Sequence, residues 1–312
     1  MGVTTSGSAD NKELSDFLRS RRARVTPEQA GVTPRGGRRV PGLRREEVAL
    51  LAGLSADYYI RLERGRVANA SESVLDAVGR ALRLDDVERA HLFNLARPRS
   101  AARTIRPAVP RRVRPGAHAL LALLSDVPAI IFDERLDVLA LNSMARAVFV
   151  DFEAMPACER NFAQFMFLDP AARELFADWD EAAQMVVAGL HLHAGRHPND
   201  PQRIELIDQL SAGNEDFRGW WASHDVEGFS HGIRHYRHPL LGEITLTFET
   251  LTFPGDPGQW LSVNAPEPGS PSSASLQILA GRIRDPSFSV HAGSASRSGR
   301  LSDRQLQIHG KD

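Results

Sequence analysis

Two good helix formers in this chain are interrupted by a glycine. RREEVALLA (residues 44–52) reads as helix, and the chain reads as helix again from Ser55 until Gly65. Gly53, between them, costs a helix interior about 1 kcal/mol relative to alanine. The break therefore reads as a turn. Two helices joined at an angle need a residue that tolerates positive φ, and Gly53 supplies it. They need a small residue where they approach, and Ala49 fits. Val48, Ala52, Leu54, Tyr59 and Leu62 have the spacing to fill the corner. Ser55 caps the second helix by accepting from a free backbone N–H, and Gly65 ends it.

This is the helix-turn-helix pattern, whose second helix lies in the major groove of DNA. The charge distribution agrees. Residues 1–115 hold 23 Lys and Arg against 13 Asp and Glu, while the remainder holds 15 against 26. Such asymmetry suggests that the first part meets a polyanion and the second does not. Lys12 and Lys311 are the only lysines, so the positive charge is almost all arginine, whose planar fork suits phosphate and base edges. Residues 19–45 carry nine arginines and one acid, Glu28. RGGRR, with Arg35, Arg38 and Arg39, is suited to follow the phosphate backbone or enter the minor groove.

The organisation around the motif is modular. Residues 1–12 read as a disordered lead-in. A helix-turn-helix domain spans 13–97, with helices over 13–24, 44–52, 55–64, 71–82 and 85–96. Asp85 and Glu88 form a capping box for the last of these. An Arg/Pro-rich stretch, 98–115, reads as a linker. In the second part, residues 117–125 and 142–150 are short helices. AIIFDE and DVLALN are a strand pair turning near Arg135, and residues 161–224 are helical in several pieces. From Gly232 the period becomes two, giving three antiparallel strands, and residues 270–283 form a last helix. Residues 285–312 are polar and Ser-rich and read as a disordered tail.

The single Cys158 excludes an intramolecular disulfide framework and fits a reducing, cytoplasmic setting. No apolar leader is present, and no apolar run approaches the roughly 20 residues of a spanning helix, so no membrane role is expected. MGVTTS matches the myristoylation pattern at Gly2, without other membrane-directed features beside it.

RREEVALLAGLSADYYIRLERG resembles the XRE (Cro-type) helix-turn-helix family. GGRRVPGLRREEVALLAGLSADYY and SESVLDAVGRALRLDDVERAHLFNLAR further resemble bacterial regulators with an MmyB-like ligand-binding C-terminal domain. DVLALNSMARAVF, FMFLDPAARELFADWD, HPLLGEITLTFETL and APEPGSPSSASLQIL stand in the order that family shows. The resemblance implies a multidomain α and α+β protein: a five-helix Cro-type head followed by a PAS-like α/β sensor domain over 116–284. It implies a sequence-specific transcription regulator that binds a double-stranded DNA operator as a homodimer. Base edges would face Ala56, Asp57, Tyr58 and Arg61, with Arg45 at the start of the preceding helix. Arg44, Arg38 and Arg39 complete the expected DNA-binding set. Asp57 departs from the Gln or Ser common at its position. It either accepts from cytosine N4 or pairs with a neighbouring arginine such as Arg61.

No nucleophile–base set, Walker loop or dinucleotide glycine pattern marks an enzyme in the second part, and no cofactor is expected. HLHAGRH places His193 and His197 on one helix face, where His191 cannot join them. A third metal ligand would have to come from His231, His235 or His238, and no metal site is expected. Aromatic residues dominate instead. Phe132, Leu141, Phe149, Phe165, Phe167, Trp179, Trp220 and Phe248 are the candidate walls of a cavity between helices and sheet, suited to a small lipophilic ligand. Two other readings of this part are a dimerisation or protein-docking module and, less favoured, an enzymatic domain.

Overall fold

A computed structural model describes residues 11–33, 40–67, 69–96, 112–197, 200–226, 228, 230–256 and 258–284. Arg35, Arg38, Arg39, most of the Arg/Pro-rich stretch, residues 1–10 of the lead-in and the tail lie outside these residues, while Asn11 and Lys12, read as lead-in, cap and open the first helix.

The head comprises α1 (Lys12–Arg24), α2 (Arg45–Leu51), α3 (Ala56–Glu63), α4 (Glu72–Ala81) and α5 (Asp86–Ala96). Four of these five helices start where a short polar side chain takes up a free N–H, α2 behind Arg44 being the exception. Asn11 accepts from Leu14 N at 3.2 Å, Ser55 from Tyr58 N at 3.2 Å, and Ser71 from Val74 N at 3.4 Å. Asp85 and Glu88 form the reciprocal box, with bonds of 2.8 and 3.2 Å. The turn between α2 and α3 places Gly53 at φ +67°, a conformation costing other L-residues about 1–2 kcal/mol. Leu54 N then reaches back to Ala49 O at 2.8 Å. Leu14, Phe17, Leu18, Val48, Tyr59, Leu62, Val78 and Leu92 make the core.

The second part begins with α6 (Pro115–Leu123) and builds a five-stranded sheet from β1 (Ala129–Asp133), β2 (Val138–Leu141), β3 (His231–His238), β4 (Gly242–Thr252) and β5 (Gln259–Ala265). The spatial order is β2-β1-β5-β4-β3, with every neighbour antiparallel. β1 is buried along its whole length, which explains the unbroken apolar run at its start. Ile130 and Phe132 face one layer of helices, while Ala129 and Ile131 pack with Ala117 and Leu121 of α6 on the other side. β4 alternates: Ile244, Leu246 and Phe248 are buried, whereas Thr245, Thr247 and Glu249 are exposed.

Between β2 and β3 lie α7 (Ser143–Val148), α8 (Phe162–Leu168), α9 (Pro170–Leu175), α10 (Trp179–Arg196), α11 (Pro201–Gly213) and α12 (Glu215–Ser223); α13 (Pro271–Ile283) closes the described chain. The long helical stretch is cut by local chemistry. Pro170 and Pro201 stand in the first turns of α9 and α11 behind the capping aspartates Asp169 and Asp200, and Asn214 caps α12.

The two parts meet along a seam formed by α1 and α5 against α10 and the residues after α12. Arg21, 2% exposed, reaches Asp225 at 2.9 Å and Glu88 at 3.3 Å, and also bonds the backbone carbonyl of His224. Leu192 and Val226 join the core of the head. At Gly195 of α10 a Cβ would come within 2.5 Å of the His91 ring of α5. A cleft of about 360 Å³ opens beside this contact, lined by Asp16, His91, His191, Arg203 and His224 among others.

Candidate DNA-reading face and ligand cavity

α3 carries its functional candidates on the side away from the corner. Tyr59 and Leu62 are fully buried, Asp57 and Arg61 are exposed, and Ala56 and Tyr58 are half-buried. The Arg61 guanidinium lies 5.8 Å from the centre of the Tyr58 ring. Among the described residues no ion pair joins Asp57 to Arg61. Arg44 stands at the start of α2, and its backbone N–H donates to Glu47 at 2.7 Å.

Arg45 does not simply face outward. Its Nε donates at 2.8 Å to Glu63, a carboxylate at the end of α3 that is 1% exposed. Arg22 of α1 holds the same carboxylate through bonds of 2.7 and 3.2 Å, and donates to Leu43 O at 2.9 Å. One acid thus fixes α1, α2 and α3 together. Burial alone would raise the Glu63 carboxyl, but hydrogen bonds and charge from Arg22 and Arg45 hold it below the usual carboxylate range. The glutamate of LERG is therefore as much part of the corner as its glycine.

In the second part, a narrow cavity of about 90 Å³ lies between the sheet and α8, α9 and α10. Three of the eight sequence candidates line it: Phe132, Phe149 and Phe248. Leu141, Phe165, Phe167, Trp179 and Trp220 are not on its wall. Leu141 is buried opposite Ile130 in the β1–β2 ladder. Phe165 packs edge-on against Phe152. Phe167, Trp179 and Trp220 pack edge-on or tilted against one another between α8, α10 and α12, with ring centroids 5.7–6.3 Å apart. These side chains fill the layer where helix meets helix.

The cavity wall also holds polar groups missed by counting aromatics. Arg234 of β3 points inward, over the face of Phe248 at 5.3 Å. Its Nη1 lies 3.1 Å from Glu181, a side chain 72% exposed, and its Nη2 lies 3.1 Å from the Met185 sulfur. Tyr236 and Asn264 stand on the same wall, 3.5 Å apart, and burial pushes the Tyr236 phenol above its ordinary range. The signal for Arg234 was its pairing phase. It sits opposite Leu246 and two residues from Tyr236, hence on the covered face of the sheet.

The histidines sort differently from expectation. His193 and His197 do share a face, with ring centroids 4.8 Å apart, and His191 instead stacks on Trp221 at 3.7 Å. The β3 histidines do not approach them. His238 bonds Ala147 O at 2.9 Å and His235 bonds Thr245 at 3.0 Å. The third member of the cluster is Glu134, from the turn joining β1 and β2.

Comparison with known families gives two matches. Residues 13–92 match a family model described as a helix-turn-helix domain. Residues 113–279, more than half of the chain, match a model described as the MmyB-like transcription regulator ligand binding domain. A comparison with curated proteins gave no match. Among the described residues no helix is long and apolar enough to cross a membrane.

Proposed function

The chain belongs to the MmyB-like transcription regulators, DNA-binding proteins with a helix-turn-helix, and from that premise we propose that its DNA binding is controlled by a small lipophilic ligand in the sheet–helix cavity. The single observation that carries this reading is the buried Arg234, the one charged side chain on a mostly apolar wall, with its carboxylate partner Glu181 out at the surface. Such a wall suits an apolar body with one polar or anionic end. At about 90 Å³ the cavity is tight, so a ligand must push its walls apart. Ala182, Met185 and Val186 of α10 form part of those walls, and Leu192 and Gly195 of the same helix touch the head. A ligand shifts the DNA-bound population by as much as its affinity differs between the two arrangements of α10.

In the DNA complex, Arg61 and Tyr58 read base edges, Ala56 packs on a thymine methyl, and Asp57 accepts from a cytosine amino group. Arg44 and Arg45, with Arg38 and Arg39 outside the described residues, contact phosphates and position the head. The working unit is a homodimer in the cytoplasm whose half-sites are about 34 Å apart. Its head spans 13–97, the linker 98–115 and the non-enzymatic sensor domain 116–284.

Mass spectrometry of small molecules released from the natively purified protein tests the sensing role. One apolar compound at near-stoichiometric amount is expected, and adding it back should raise the melting temperature and change operator affinity in an anisotropy titration. Release of nothing, together with no thermal shift across a lipid-like library, would overturn ligand control.

A further inference from the structure

We propose that Glu134, His193 and His197 form a three-ligand site for a divalent transition-metal ion, best suited to zinc. The ligands come from two places that the sheet and α10 bring together. Glu134 stands in the turn between β1 and β2, while His193 and His197 lie one helical turn apart at the end of α10. Glu134 Oε2 is 3.0 Å from His197 Nε2 and 3.7 Å from His193 Nδ1, and the three ligand atoms all lie within 4.8 Å of one another. Tetrahedral coordination at the usual Zn–N and Zn–O lengths sets ligand atoms ~3.4 Å apart. The two glutamate edges already bracket that value, and the His–His edge, no longer than 4.8 Å, closes toward it on binding.

His193 gives a second, independent observation. Its side chain is 3% exposed, and its Nδ1 is buried without a hydrogen-bond partner. Its Nε2 lies 3.4 Å from Asp200. An ionised carboxylate only accepts, so the imidazole proton belongs on Nε2 and Nδ1 presents a bare lone pair. That lone pair faces the carboxylate oxygen of Glu134. A buried imidazole lone pair set against a carboxylate oxygen is unfavourable, and a cation between them is held by both. Asp200 then takes the place of the outer carboxylate that orients a metal-binding histidine. Arg196 holds the other oxygen of Glu134, Oε1, at 3.5 Å, and Arg135 lies 3.4 Å from Asp200. These two cations fix the carboxylates and leave Oε2 turned toward the imidazoles.

Two imidazoles and one carboxylate favour zinc or its first-row neighbours over magnesium or calcium, which prefer all-oxygen shells. His197 is about one-third exposed, so water completes the fourth position. None of the three residues lines the lipophilic cavity, and the metal reading stands or falls apart from the ligand reading. The ion would staple the β1–β2 turn to the end of α10, on either side of the Gly195 contact with the head.

The test uses the full-length chain without an affinity tag, stripped with a chelator and titrated with zinc salt alone against a chromophoric competitor. One zinc per chain, a raised melting temperature, no response to magnesium, and visible d–d bands of four-coordinate cobalt(II) on substitution are expected. Glu134→Gln and His197→Gln should each weaken zinc binding by at least about 100-fold, and Asp200→Asn by about 10–100-fold. Circular dichroism checks that each variant is folded; both substituted ligands reach the surface. Absence of stoichiometric zinc binding by the parent chain overturns the proposal. So does parent-like affinity in a folded Glu134→Gln/His197→Gln double variant.

Discussion

Glu63 in the head and Arg234 in the sensor domain are both buried charges, and the molecule treats them in opposite ways. Glu63 receives two arginines from two other helices, with every bond at 3.2 Å or less. Arg234 has one carboxylate partner, Glu181, which stands mostly in water, and its remaining contacts, the Ile233 carbonyl, a sulfur and an aromatic face, carry no charge. A buried charge matched on all sides fixes the relative placement of the elements that supply its partners. A buried charge matched on one side retains capacity for another partner. The head is thus closed as a rigid unit, whereas the second domain holds a cation with donor capacity left on its cavity wall.

Removing the Glu63 charge should break this contrast most severely. Glu63→Gln leaves Arg22 and Arg45 without their shared counter-ion, and urea unfolding should show a loss of about 3–5 kcal/mol. Acid sharpens the contrast at the seam, where burial and the nearby charges of His224 and Arg196 depress His91 to about 4. His191, also depressed to about 3 by its own burial, faces it from α10. His91 is neutral in the fold and titrates near 6.5 when unfolded, so the unfolded chain binds more protons between those values. Its contribution is complete above pH 6.5 and declines as pH falls toward 4. His91 contributes up to about 3 kcal/mol to the decrease that melting curves should show over that window, His191 adds to it with the same sign, and His91→Asn should flatten the slope. The smallest stability effect belongs to Arg234→Met. It releases Glu181 to solvent and fills the site with apolar atoms, so unfolding free energy should move by less than about 1 kcal/mol. Recovery of the released apolar compound should nevertheless fall sharply. A large loss of stability with unchanged ligand recovery would show that Arg234 is matched as fully as Glu63 and would erase the contrast.

The same difference explains what could be read from residues alone. The corner of the head was legible because its determinants are close in sequence: Gly53 for the turn, Ser55 for the cap, Ala49 for the approach. Asp85 and Glu88 were legible for the same reason. Glu63 was overlooked because its partners, Arg22 and Arg45, are set by how three helices converge. In the second domain the alternation of β4 could be read because period two is a local property, and the pairing of β1 with β2 because two short apolar runs flank a turn near Arg135. The cavity wall could not. Phe167, Trp179 and Trp220 are as aromatic as Phe132 and Phe248, and only the layering of α8, α10 and α12 decides which of them meet the sheet. Glu134 escaped notice because a turn carboxylate shows no periodicity, and the fold alone carries it to the histidines of α10.

Gly195 gives the seam a mechanical property. Most packed surfaces transmit displacement poorly, because side chains rotate and soak up the first ångström of movement. Where α10 crosses α5 there is no side chain on one partner, and the imidazole of His91 rests almost on the backbone itself. The joint has no slack. Any tilt of α10 at this contact bears on α5 directly, like a lever on its fulcrum, and an alanine at this one position would pry the two arms apart.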